Sequence, residues 1–187
     1  MHHIHRVLIS VVAFATSACV GSLDAVVPED AAFFDPQLLG TWDAPDSSEH
    51  AVITRGEPLQ YAIEYTDSDG KPVSLIGRLG RARDRFIVDV QPTGEALGPY
   101  RDLVVRLHIA LILDSIGPRT TMAILEPDSL DAFLRAHPGA IAHLRGDGGK
   151  GLVLTATSRA LQPFFAMYLQ RPGALASAST WARRADP

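Results

Sequence analysis

Few side chains in this 187-residue chain are placed to do chemistry, and they are scattered. Its single cysteine, Cys19, follows the apolar run Val7 to Ala15 and the small residues Thr16, Ser17 and Ala18. The histidines beyond it, His50, His108, His137 and His143, have neither His-Glu-x-x-His nor any paired spacing that would bring two imidazoles to one metal ion. No Gly-x-Ser-x-Gly segment is present to build a strained nucleophilic serine turn. Gly146-Asp147-Gly148-Gly149-Lys150-Gly151 matches the G-x-G-x-x-G pattern letter for letter, but a pyrophosphate needs a helix N-terminus directly after the glycines. Leu152 to Ala156 reads instead as a strand, and Gly151 stands where a P-loop needs Ser or Thr for magnesium. The glycines therefore predict a hairpin turn. Asp67-Ser68-Asp69-Gly70 begins like a calcium loop without the distant bidentate Glu, and also predicts a turn. With no catalytic constellation, metal set or cofactor motif, the expectation is a non-enzymatic protein.

The first eighteen residues carry the marks of a removable export signal. Arg6 supplies positive charge, the apolar run is interrupted only by Ser10, and it is shorter than the roughly 20 residues that span a bilayer. Thr16-Ser17-Ala18-Cys19 resembles the lipobox of bacterial lipoproteins, with Thr where that motif usually has Leu. The resemblance implies cleavage before Cys19, a thioether-linked diacylglycerol on its sulfur, and acylation of the new amino terminus by a fatty acid such as palmitate. It also implies a periplasm-facing, lipid-anchored protein of the cell envelope. Val20, in place of the Asp that commonly retains such proteins at the inner membrane, implies outer-membrane delivery. Ordinary signal-peptidase cleavage at the same point is the alternative, and it would leave a free thiol with no partner in the chain. Residues 19–187 carry sixteen basic and twenty-one acidic residues, so nucleic-acid binding, which needs a basic footprint, is disfavoured.

The elements that must position any site are mostly strands. Residues 19–37 mix small, acidic and apolar types with no period, which predicts a lipidated tether ahead of one domain at 38–187. Leu59, Tyr61, Ile63 and Tyr65 alternate with polar residues as in a half-buried strand. After the 67–70 turn, Val73 to Arg81 and then Phe86 to Gln91 continue a meander. Further strands are expected near 39–43, 50–54, 105–114, 119–125, 141–145, 151–156 and 179–184. The stretch 103–114, apolar on both faces, admits a helix, but its Val and Ile content favours a strand. One helix is predicted from Asp128 or Ser129 as cap to Pro138-Gly139. A second carries Leu161, Phe164, Phe165, Tyr168 and Leu169 on one face, with Pro163 disturbing its first turn.

Eight to ten strands joined by short connections remove their exposed edges by curling, so the fold class expected is mainly β with two helices (α+β), as an antiparallel barrel or strongly curved sheet. Gly40-Thr41-Trp42, after Leu38 and Leu39, is similar to the Gly-x-Trp opening of lipocalins. That resemblance implies a tryptophan lying across the closed end of an up-and-down barrel and packed against an arginine of the last strand, here Arg183 or Arg184. It also implies a lipophilic small molecule or lipid as ligand, with Trp42, Tyr61 and Tyr65 as candidate walls; plain core packing accounts for the tyrosines equally. Arg78, Arg81, Arg83 and Arg85 cluster near one hairpin. Arg81, Arg83 and Arg85 are candidates for contact with an anionic group, against the alternative of a solvated turn. The competing functional reading is a scaffold or assembly accessory acting through protein contacts in the envelope.

Overall fold

A computed structural model describes residues 20–94, 104–146, 151–176 and 178–185. Among these residues the strands are β1 (Gly21–Ser22), β2 (Gly40–Asp43), β3 (His50–Arg55), β4 (Gln60–Thr66), β5 (Pro72–Ala82), β6 (Arg85–Pro92), β7 (His108–Leu113), β8 (Arg119–Ala123), β9 (His143–Arg145), β10 (Leu152–Leu154) and β11 (Ser179–Arg183). The helices are α1 (Pro127–Ala136) and α2 (Ser158–Tyr168), with 3-10 turns at Glu29–Ala31 and Pro36–Leu38.

Strands β2 to β8 pair in sequence, each antiparallel to the next, and β11 closes the circle between β8 and β2. Eight strands therefore form a closed antiparallel barrel, mainly β with two helices, as the strand count anticipated. Closure leaves none of these strands with a free edge along its whole length, which is how such folds avoid edge-to-edge association. We call the end bearing the β3–β4, β5–β6 and β7–β8 turns the lower end, and the end bearing the β2–β3 and β4–β5 turns the upper.

The strand β7 belongs to two structures at once. Along one edge its Ile112 and Leu113 pair with Ala123 and Met122 of β8, while its His108 and Ile109 pair with Ser22 and Gly21 of β1. Strand β1 runs parallel to β10, and β10 pairs with β9, so the sheet continues past the barrel as a three-stranded flap. The helices pack on the outer wall of β6 and β7 and on one face of this flap.

Two hydrophobic cores result from strand alternation. Inward-facing Trp42, Tyr61, Ile63, Leu79, Val88, Val90, Leu113 and Trp181 form the barrel interior. Outward-facing Ile87, Ala110 and Ile112 join Leu130, Phe133 and Leu134 of α1 and Leu161, Phe164, Phe165 and Tyr168 of α2 in a second core. Because β7 is walled on both sides, its sequence is apolar on both faces. Burying each such large side chain contributes about 1.5–3 kcal/mol, which makes the second core as important to stability as the first.

Several expectations are corrected. Residues 20–37 are no tether: Val20, Val26 and Val27 are buried, and Phe33 bridges to Leu79. The segment is irregular, with a two-residue strand and two 3-10 turns, so no period marks it. Gly80 is what lets Val27 approach, because a Cβ there would stand 2.7 Å from Val27 Cγ1. Leu59 lies outside β4 in a turn, with φ 61°, and is exposed. Helix α1 starts one residue earlier than its expected cap, at Pro127, whose fixed φ suits the first position. Helix α2 likewise begins at Ser158, which puts Pro163 inside it rather than near its start; that proline is exposed.

Candidate functional site

The two ends of the barrel are built differently. At the lower end the segment leading into β2 folds across the opening as a plug. Phe34 stacks on Tyr61 with ring centroids 4.9 Å apart, and Leu38 is buried against the interior. The Tyr61 hydroxyl accepts from the Asp35 N–H at 2.8 Å and donates to the Asp35 carbonyl at 3.1 Å, while the Trp42 indole donates to the Leu38 carbonyl at 2.9 Å. Both polar tips are satisfied by the backbone of the plug itself. Burial pushes the Tyr61 phenol above its usual pKa, against the lowering effect of its hydrogen bond with Asp35.

Arginines roof this plug. The Arg55 guanidinium lies 3.8 Å from the centroid of Phe34, and that of Arg81 lies 4.4 Å from Phe86, its cross-strand partner. Arg183 is in register with Trp42, donates to the Gln37 carbonyl at 3.2 Å, and runs its stem past Gly40. Gly40 has φ 124°, and a Cβ there would stand 3.2 Å from Arg183 Cδ, so the glycine of the Gly-x-Trp triplet makes room for the arginine of the last strand. Arg184 does something else: it forms two hydrogen bonds with Asp43, at 2.6 and 3.1 Å, and holds that carboxyl below its ordinary pKa. Leu39, Gly40, Pro118, Arg183, Arg184 and Ala185 line a shallow groove of about 330 Å³ beside this end.

Among the described residues no segment folds across the upper end as the plug does below. Among the inward-facing side chains, Tyr65, Leu75, Ile109, Leu111 and Met122 keep part of their surface exposed. Tyr65 is the polar group among them, its pKa raised by burial and then by the carboxylates of Glu49 and Asp67. Of the three aromatic residues expected to line a site, the structure thus places Trp42 and Tyr61 in the plugged half and Tyr65 in the open half. The arginines expected to act together are separated. Arg81 faces the lower opening, Arg83 occupies the two-residue turn with φ 57°, Arg85 begins β6 half-buried, and Arg78 lies on the outer wall.

Sequence reasoning missed a polar cluster on that outer wall. Asp89, buried among apolar neighbours, accepts the Val27 N–H at 3.1 Å through Oδ2, and its Oδ1 lies 3.0 Å from His108 Nδ1. Gln91 Nε2 donates to the Arg106 carbonyl and lies 3.2 Å from His108 Nε2. Every polar atom is satisfied if His108 donates from Nδ1 and accepts at Nε2. Gln60, Ile76, Arg78, Asp89, Gln91 and His108 line a groove of about 100 Å³ here. Its clearest job is to pin the N-terminal segment to the barrel. A buried Asp in a strand of apolar alternation, flanked by Ile87 and Gln91, was the one available signal.

The remaining sequence motifs behave as turns. Asp67 Oδ1 accepts the N–H groups of Asp69 and Lys71, and Gly70 takes φ 78°. Gly146 donates to the Gly151 carbonyl at 3.0 Å at the base of the β9–β10 hairpin; residues 147–150 lie outside the described residues. His50 and His143 contact nearby carbonyls and His137 stacks on Phe133. Among the described residues no three His, Cys, Asp or Glu side chains come together as a metal set. Cys19 and the signal-like segment before it lie outside the described residues. No helix among the described residues is long and apolar enough to cross a membrane.

The closed eight-stranded barrel, its plugged end and the Gly40, Trp42 and Arg183 arrangement define a lipocalin-like architecture. No family model matches the chain, and neither a curated protein nor a solved structure matches it, so this likeness rests on architecture and those residues alone.

Proposed function

We propose that this chain is a non-enzymatic, lipid-anchored envelope protein that holds one lipophilic small molecule or lipid in the upper half of its barrel. The observation that supports it is the contrast between the two ends: the 33–38 segment folds across the lower one, while among the described residues nothing comparable crosses the upper one, where the apolar side chains of Leu75, Ile109, Leu111 and Met122 and the ring of Tyr65 are only partly buried. A barrel of about eight strands has room for side chains or one small ligand. Apolar walls with one polar tip, here the Tyr65 hydroxyl, suit an acyl chain with a polar head. The anchor in this reading comes from Cys19 and its resemblance to a lipobox.

Titration with a dansylated fatty acid tests the ligand half. One equivalent should bind with a blue-shifted emission, and Leu111→Trp, which fills the upper half, should abolish it. Absence of binding, together with native mass spectra of mild-detergent extracts showing no retained lipid, would sink the ligand reading and leave a protein-contact scaffold as the better account.

A further inference from the structure

The flap formed by β1, β10 and β9 has two unlike faces. Register places Ser22, Leu154 and His143 in one row toward the helices, with Ser22 and Leu154 buried. The neighbouring row, on the opposite face, runs Ile109, Gly21, Val153 and Leu144, without a charged or polar side chain. Ile109 belongs to the inner face of the barrel and Leu107 packs over the buried Gly21, so this apolar row, with Leu107 seated on it, starts at the barrel wall and leads outward across the flap. Leu144 at its far end is 63% exposed, and Leu23, two residues past Gly21, is 41% exposed. A contiguous apolar face of this kind in water marks a surface that is covered in use.

The start of the described chain indicates what covers it. Val20 is buried in the same layer as Ser22 and Leu154, one residue before Gly21 enters the sheet. Cys19 is the next residue back, and one residue reaches at most about 3.6 Å. An acyl group on Cys19 therefore has no spacer: anchoring there brings the flap to the membrane surface itself. We infer that the Leu23, Val153 and Leu144 face of the flap lies on the lipid leaflet. An apolar path then connects the leaflet to the open half of the barrel. This inference rests on the anchored reading above, and it deepens that reading by giving the ligand a route from the bilayer.

The test uses the full chain carrying Leu144→Cys, labelled with the environment-sensitive fluorophore NBD and reconstituted into phosphatidylcholine vesicles, with Ala62→Cys on the exposed outer face of β4 as reference. The label at 144 should shift to the blue, brighten several-fold and be quenched by doxyl-labelled lipid, whereas the label at 62 should report water. The intact mass reports acylation of Cys19 separately. An acylated chain whose label at 144 behaves like that at 62 overturns the docking face while leaving the anchor standing. A chain carrying Cys19→Ser, in which position 144 holds the only thiol, whose label still shifts on vesicles shows that the face docks without the anchor. A shift that appears without vesicles and grows with protein concentration overturns the inference in favour of a second copy of this chain.

Discussion

The lower and upper halves of the barrel are made from the same strands, yet among the described residues only the lower is crossed by a plug. Tyr61 and Tyr65, four residues apart on one face of β4, show the difference. Tyr61 is 1% exposed, stacked on Phe34 and hydrogen-bonded twice to the plug; Tyr65, at the other end, is only partly buried. A strand pattern alone makes them equivalent. What separates them is the irregular segment 33–38, which reaches only the lower opening. Stability should therefore concentrate below and ligand response above.

The comparison breaks most visibly at Trp42. Trp42→Ala removes a fully buried indole and should cost about 3–5 kcal/mol, read as a lower midpoint in urea with the slope unchanged. Leu111→Ala, on an inner face that already sees solvent, should cost about 1 kcal/mol or less, since less apolar surface is lost from burial. Equal costs for the two would mean that the upper half is packed as tightly as the lower, and the hollow-barrel reading would fall with it.

A smaller effect is expected where the plug is fastened. Gly80→Val places a branched side chain against Val27, where even a Cβ would come within 2.7 Å, and overpacking of this kind costs about 1–3 kcal/mol. The distinguishing readout is local. The Phe33 amide, bonded to the Leu79 carbonyl at 2.9 Å, should lose hydrogen-exchange protection ahead of the β7 and β8 amides. Unchanged protection at Phe33 would show that the plug holds without Val27.

These regions also differ in how much the sequence discloses. The alternation of Tyr61, Ile63 and Tyr65 announces β4, and Gly40, Trp42 and Arg183 announce the closed end, because each obeys a local rule or a short motif. The N-terminal segment obeys neither: Val27 meets Gly80 on the outer wall, and in the plug Phe33 meets Leu79 and Phe34 meets Tyr61, contacts that the fold alone brings together. Asp89 was hidden for a related reason. Alternation assigns it to the outside of the barrel, and only the fold brings the N-terminal segment across that wall. The two-residue β1, paired with a strand more than a hundred residues later, carries no pattern at all. The upper half was legible only as strands, since whether inward side chains fill a barrel depends on its closure and not on their spacing.

The finest distinction between the halves lies in the two phenols. Burial raises both pKa values above the ordinary 10.0, so each folded phenol holds its proton more tightly than the unfolded one. Their contribution to stability is thus complete below about pH 10 and is lost as pH rises through the folded values, because the unfolded chain ionises first. Tyr61→Phe should cost about 1–3 kcal/mol at pH 7, since it leaves the Asp35 N–H and carbonyl without their partner, and it should flatten the alkaline loss of stability. Tyr65→Phe should be near neutral at pH 7, remove a lesser part of the alkaline slope, and weaken binding of an acyl ligand whose head the hydroxyl meets. If Tyr65→Phe instead costs as much as Tyr61→Phe, its hydroxyl is anchoring the fold, and the upper half would have to be redrawn as a second plug.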